Sequence, residues 1–194
     1  MKDQLRWDKL YLDIAKRYSE ETSCLRRKVG AVITVDNRMI AAGYNGAPAG
    51  VKSCKELGYC MRENAKSGEN LQNCLASHAE MNAIREASKH LGETLGWRRL
   101  TGCDMYVTME PCSMCAGALV WSRIENLYIG VRDPKAGGCG SVLNIIQEEK
   151  FNHHVNLIEI DDGPLKDECR DIIQGFFRDL RDKQKKAKLE ETEK

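Results

Sequence analysis

Two short stretches limit what this chain can fold into: Ser77 to Ile84 reads SHAEMNAI, and Glu110 to Leu119 reads EPCSMCAGAL. Side chains two apart on a helix do not share a face, yet the first turn of a helix can aim successive residues into one pocket from its open end. His78 and Glu80 suit such a turn. Cys112 and Cys115 open a second helix, where unpaired N–H groups and the positive end of the helix dipole favour thiolate over thiol. Between the stretches, CDMYVTM is a short β run. The fold must therefore carry a strand between two helices whose starts converge. One imidazole and two thiolates are the three protein ligands of an open, catalytic zinc site that leaves a fourth position for water. Glu80 is then an acid beside the metal and not a ligand of it.

The remaining sequence supplies a frame. Trp7, Leu10, Tyr11, Ile14 and Ala15 recur at helical spacing and predict a helix from about Trp7 to Thr22. KVGAVITVDNRMIAAGYN reads as a β-hairpin about VDNR, with Gly43 and Gly46 at its exit. Residues 47–77 form a polar, Cys-rich insert too long to be a passive connection. NLYIGV and VNLIEI add two strands, and a last helix is expected from Leu165 to about Lys185. Strand, helix, strand in that order implies a right-handed crossover and parallel pairing. These elements predict an α/β fold, a three-layer α/β/α sandwich with a central mixed five-stranded sheet. It is expected as a single domain over 1–185, followed by a charged, flexible tail over 186–194.

A length of 194 residues suits one core, and a formal net charge of +1 gives no strong overall field for nucleic acid or membrane, so any basic patch must be local. The first residues, MKDQLRWDKLYLDIAKRY, mix charges through their apolar positions, unlike a signal peptide, and no run approaches the roughly 18 apolar residues of a membrane span. A cytoplasmic protein without a membrane partner is expected. In a reducing compartment the nine cysteines read as metal ligands or buried thiols. Cys103, Cys139 and Cys169 are expected as core or near-surface thiols with no assigned role.

Taken together, HAE, PC and CxxC resemble the signature of the zinc-dependent nucleobase deaminases, the cytidine and deoxycytidylate deaminase superfamily. The resemblance implies one catalytic zinc on His78, Cys112 and Cys115 and hydrolytic loss of an exocyclic amine. Zinc brings the pKa of water down to about 7. Glu80 would take a proton from that water, deliver it to a ring nitrogen and help protonate the leaving ammonia. Ala79 and Pro111 are expected to shape the pocket through backbone groups.

The two halves resemble different members. Trp7 to Glu80, with WDKLYLDIA, SCLRRKVGAVI, GYNGAPAG and a cysteine-bearing approach to HAEMNAI, resembles deoxycytidylate deaminases. This implies Asn45 on the sugar hydroxyl and a second, structural zinc on Cys24, Cys54, Cys60 and Cys74, residues whose spacing is also that of free buried thiols. Leu95 to Arg181, with LGWRRLTGCDMYVTMEPCSMCAGALVWSRI, GVRDPKAGGCGS, FNHHV and DECRDIIQGFFRDLR, resembles bacterial tRNA adenosine deaminases. There Asp133 and Lys135 would touch the anticodon-loop backbone, and Phe177, Arg178 and Arg181 would sit beside the neighbours of the flipped base. The insert adjoins the pocket and is expected to limit what enters. Conversion of dCMP to dUMP with release of ammonia is therefore the expected reaction. The alternative is A34 to inosine in a tRNA anticodon loop. A second alternative, a non-catalytic zinc-binding module, is opposed by the intact Glu80. Relatives of both halves imply a homo-oligomer, with Trp121 at a subunit interface or in the core.

Overall fold

Asp36 and Asn37 both adopt positive φ, 48° and 54°, as a two-residue hairpin turn matched to strand twist requires and as Asp and Asn tolerate. They join β1 (Gly30–Val35) to β2 (Arg38–Tyr44). The computed structural model to which this hairpin belongs describes residues 2–63, 65, 69–95, 99–160 and 163–192. Helix α1 (Lys2–Glu20) precedes the hairpin. After it come the short α2 (Cys54–Leu57), α3 (Ala79–Leu95), β3 (Cys103–Met109), α4 (Ser113–Ser122), β4 (Asn126–Val131), β5 (Asn156–Glu159) and α5 (Gly163–Thr192).

The sheet order is β2-β1-β3-β4-β5. β1 pairs antiparallel with β2 and β3, whereas β3, β4 and β5 run parallel, so the sheet is mixed, as expected. Strand alternation sorts the core into two layers. Ala31, Ile33, Met105, Val107, Leu127 and Ile129 pack with Ala79, Ala83, Ala87 and Leu91 of α3 and with Ala116, Leu119 and Val120 of α4. On the other face Val32, Tyr106 and Tyr128 pack with Tyr11, Leu12 and Ala15 of α1 and with Cys169 and Ile173 of α5. The Ala stripe of α3 lets that helix lie close to the sheet. Gly43 makes the approach closer still, because a Cβ there would stand 2.5 Å from Ala79 O and 2.6 Å from Ala83 N.

Two helices are longer than their apolar stripes predict. α1 begins at Lys2 and not near Trp7, supported by a Gln4–Asp8 side-chain hydrogen bond of 2.8 Å one turn apart. The run expected as a solvated tail continues as helix to Thr192, since its Lys, Gln, Ala, Leu and Glu residues are good helix formers that need only propagate a helix already begun. Glu193 and Lys194 lie outside the described residues. Within the insert, Ser53 and Glu56 form a reciprocal capping box that starts α2, and Lys55 N donates to Ser23 O at 3.2 Å, tying the insert to the end of the first helical segment. Among the described residues no helix is long and apolar enough to cross a membrane.

Candidate metal centre and active site

His78 ends the insert. Its neighbour Ser77 exchanges two backbone hydrogen bonds with Gly46, of 3.1 and 2.8 Å, which anchors the entry to α3 on the exit of β2. His78 O accepts from Asn82 N at 3.1 Å, so His78 caps α3 and Glu80 falls in its first turn. Across the site, Cys112 caps α4 with extended backbone, φ −71° and ψ 174°, and its carbonyl accepts from Ala116 N at 2.8 Å. Two helix starts thus meet, as the ligand spacing demands.

His78 Nδ1 stands 3.6 Å from Cys112 Sγ and 3.4 Å from Cys115 Sγ. A tetrahedral zinc with Zn–S of about 2.3 Å and Zn–N of about 2.0 Å separates nitrogen from sulfur by about 3.5 Å. The triad therefore fits zinc, and it is the one group of three or more metal-ligating atoms within 4.8 Å of one another among the described residues. Burial is graded, with His78 exposed, Cys112 half-buried and Cys115 fully buried, so the site opens on the His78 side.

The charges are poised for metal. A hydrogen bond from Cys115, aided by His78, lowers the Cys112 thiol to about 3, while the hydrogen bond that Cys115 gives, together with burial, pushes its own pKa far up. The hydrogen bond to Cys112 also raises His78. Glu80, 4% exposed, has its carboxyl pushed up by desolvation. An acid that readily holds a proton therefore lies beside the triad.

The other expected site residues fall in three groups. Ala79 and Pro111 flank the triad and are buried, and Pro111 O already accepts from Gly138 N at 2.8 Å. Asn45 is 6% exposed and uses its amide on the backbone: Oδ1 accepts from Val29 N at 2.8 Å and Nδ2 donates to Arg27 O at 2.9 Å. Asp133 is buried and closes its own turn, accepting from Lys135 N and Ala136 N at 3.0 and 3.3 Å, while Lys135 is exposed. Arg178 is exposed and pairs with Asp171 at 3.3 Å; the side chains of Phe177 and Arg181 lie outside the described residues.

Cys24 and the three insert cysteines, Cys54, Cys60 and Cys74, do not form a group of ligand atoms close enough for a metal. Cys54 is nonetheless raised by desolvation and by the charges of Cys60, Cys24 and Cys74, with a side-chain hydrogen bond to Cys60. Trp121 is 76% exposed on α4 and is not core. Two groups escaped the sequence reading. Asn82 accepts from Ser77 Oγ at 2.9 Å and donates to Tyr44 O at 2.8 Å, stitching the mouth together. Glu110 is wholly buried against the loop after β4; the glycine run after Lys135 was its signal, since glycines cluster where backbone must come close.

An open His–Cys–Cys zinc site at two helix starts, with a buried unligated acid, on a mixed five-stranded α/β/α frame, is that of a hydrolytic nucleobase deaminase. Residues 5–131 match the family model of the cytidine and deoxycytidylate deaminase zinc-binding region, and the chain belongs to that family. It is 39% identical over 160 residues to the tRNA-specific adenosine deaminase of Bacillus subtilis (strain 168), covering 82% of this chain and 81% of the relative. A tRNA-specific adenosine deaminase of Agrobacterium fabrum is 34% identical over 153 residues, covering 79% and 82%. A solved structure from studies of A-to-I editing by tRNA:A34 deaminases at the wobble position is 32% identical with a TM-score of 0.52, covering 75% of this chain and 85% of that one. The dCMP deaminase of cyanophage S-TIM5, solved with dCMP and dUMP, is 20% identical with a TM-score of 0.56 and covers 77% and 93%, a likeness of fold alone.

These similarities overturn the expected preference for dCMP. The match to tRNA-specific adenosine deaminases extends over 160 of the 194 residues and so reaches into both halves of the chain.

Proposed function

We propose that this protein is a tRNA-specific adenosine deaminase that converts A34 of an anticodon loop to inosine. The observation that carries the reading is 39% identity to such an enzyme over four-fifths of both chains. The open His78 side supports it, since a flipped base enters such a site while its flanking nucleotides stay on the surface.

We assign His78, Cys112 and Cys115 as zinc ligands and Glu80 as the catalytic acid–base. Zinc held there supplies an acidified water as nucleophile and Lewis-acid stabilisation of the developing charge. The Glu80 carboxylate would take one proton from that water and deliver it to ring N1 of adenine, then take the second from the hydroxyl added at C6 and pass it to the amine as the C6–N bond breaks, so that N1–H of inosine and the ammonia released account for both protons of the water. Its burial keeps competing water from the carboxylate, and its place in the first turn of α3 fixes the direction of transfer. Lys135, exposed on the loop after β4, meets phosphate of the anticodon loop as a point charge. Arg178 on α5 does the same, and Asp133 acts from behind by shaping the turn that presents Lys135. Incubation with an anticodon stem-loop carrying A34, read by nucleoside mass spectrometry, should give inosine at that position alone. The same stem-loop with its adenosine moved into the paired stem should stay unmodified. An equal yield from both would defeat the reading.

We also propose a second, structural zinc on Cys24, Cys54, Cys60 and Cys74. Cys54 lies against Cys60, and the backbone N–H groups of Arg26 and Arg62 donate to Cys24 Sγ and Cys60 Sγ, each at 3.4 Å. Binding would draw Cys24 and Cys74 onto that pair. Metal analysis should then find two zincs per chain, falling toward one in Cys54→Ser with a loss of stability. One zinc in well-folded wild type removes the second site.

A further inference from the structure

Glu110 has no part in the chemistry above, yet its side chain is 0% exposed at the end of β3, immediately before the Cys112 ligand turn. Four donors meet its two oxygens. Oε2 accepts from Asp133 N at 3.0 Å and from the Ser141 hydroxyl, and Oε1 accepts from Cys139 N and Ser141 N, both at 3.1 Å. The Arg132 guanidinium lies 3.6 Å from Oε1. Every one of these groups belongs to the segment 132–141, the loop that carries Lys135.

The same segment is laid directly over the ligand turn. Gly138 N donates to Pro111 O at 2.8 Å, and Cys112 and Gly137 form an isolated β-bridge. The two glycines leave no slack. A Cβ on Gly137 would stand 2.5 and 2.6 Å from the two oxygens of Glu110, and one on Gly138 would stand 2.8 Å from Ser113 N and 2.9 Å from Cys112 C. The loop cannot shift without disturbing either the carboxylate or the backbone of a metal ligand.

We propose that Glu110 is a positioning residue that fastens loop 132–141 to the Cys112 turn, so that the face presenting Lys135 to substrate and the metal ligands are held in one register. The part that concerns substrate rests on the tRNA reading above. The part that concerns the loop and the ligand turn does not. The residue type follows from the donor count, because four donors need two oxygens that each accept twice. Glutamine keeps the shape but aims an NH₂ at N–H donors, and an apolar side chain would orphan three backbone N–H groups in the interior.

The test uses full-length Glu110→Gln and, with the carboxylate intact, Gly137→Ala and Ser141→Ala. Three quantities are measured: amide exchange of residues 139 and 141, the absorption bands of the cobalt-substituted protein, and KM and kcat on the A34 stem-loop. In Glu110→Gln, exchange at 139 and 141 should accelerate by about 10- to 100-fold, as loss of hydrogen bonds to a charged group implies. The cobalt bands should shift, and KM should rise on the order of tenfold with a smaller change in kcat, as a displaced positioning loop implies. Gly137→Ala should move all three the same way and Ser141→Ala more weakly, so the two loop variants decide the matter if Glu110→Gln does not fold. Wild-type exchange or unshifted cobalt bands in Glu110→Gln and Gly137→Ala would overturn the proposal. Wild-type protein that makes no inosine would sink the tRNA reading alone, leaving exchange and cobalt spectra to judge the brace.

Discussion

Glu80 is under two opposed pressures, since the first turn of α3 favours a carboxylate through the helix dipole while burial favours the protonated acid. A group balanced in this way suits proton transfer, and one that only packed would not need to be an acid. Glu80→Gln preserves shape and cannot shuttle a proton. It should keep its catalytic zinc by metal analysis and lose turnover by about 10²- to 10⁴-fold; near-normal turnover in that variant would remove Glu80 from the mechanism. His78, Glu80, Cys112 and Cys115 were legible in the sequence because their residue types and spacing are themselves the chemistry. Asn45 and Asp133 were less so. Each is a polar residue near the mouth, and only coordinates reveal that the amide of Asn45 is spent on Val29 and Arg27 and that Asp133 is buried closing a turn. Glu110 stood in plain view inside the ligand motif, but its partners lie more than twenty residues on, in a loop whose path no local pattern fixes.

Secondary structure was read well where one period dominates. The hairpin about VDNR, the strand between the ligand segments and the helices at HAE and SMCAG all stand where β-rich runs, turn residues and helix propensity put them. The mixed character of the sheet was legible from the hairpin and from the strand, helix, strand order, whereas the strand order itself was not. Helix ends were less legible, because α1 and α5 extend through charged residues that give no periodic apolar signal. The close contact of α3 with β2 was half legible, since Gly43 marked the strand exit but not the helix above it. Replacing it tests that contact. In Gly43→Ala the new Cβ would press on the backbone of Ala79 and Ala83, the turn that holds Glu80. Stability should fall by about 1–3 kcal/mol in denaturant melts, the usual cost of overpacking, and activity should fall further than stability alone explains. An unchanged melt would mean that α3 can lift off the strand without cost.

The shape of the whole molecule bears on substrate and assembly. An enclosing insert was a reasonable inference from a long cysteine-bearing loop beside the pocket, but enclosure depends on where a loop lies, which composition does not specify. In the structure His78 is exposed, so the triad is reachable from that side. Assembly is argued from α4, which leaves Met114 at 54% and Trp121 at 76% exposure, two large apolar side chains two turns apart on one helix face. We predict a homodimer at micromolar concentration by sedimentation and a shift to monomer in Trp121→Glu; a wild-type monomer would refute the oligomer.

The central claim, that this deaminase acts on adenosine in an anticodon loop, is tested most directly by offering one enzyme batch both an A34 stem-loop and dCMP. Inosine in the RNA, with KM rising steeply as salt increases because several phosphates are bound, and no dUMP from dCMP, is the predicted result. Formation of dUMP with the RNA unmodified would contradict it.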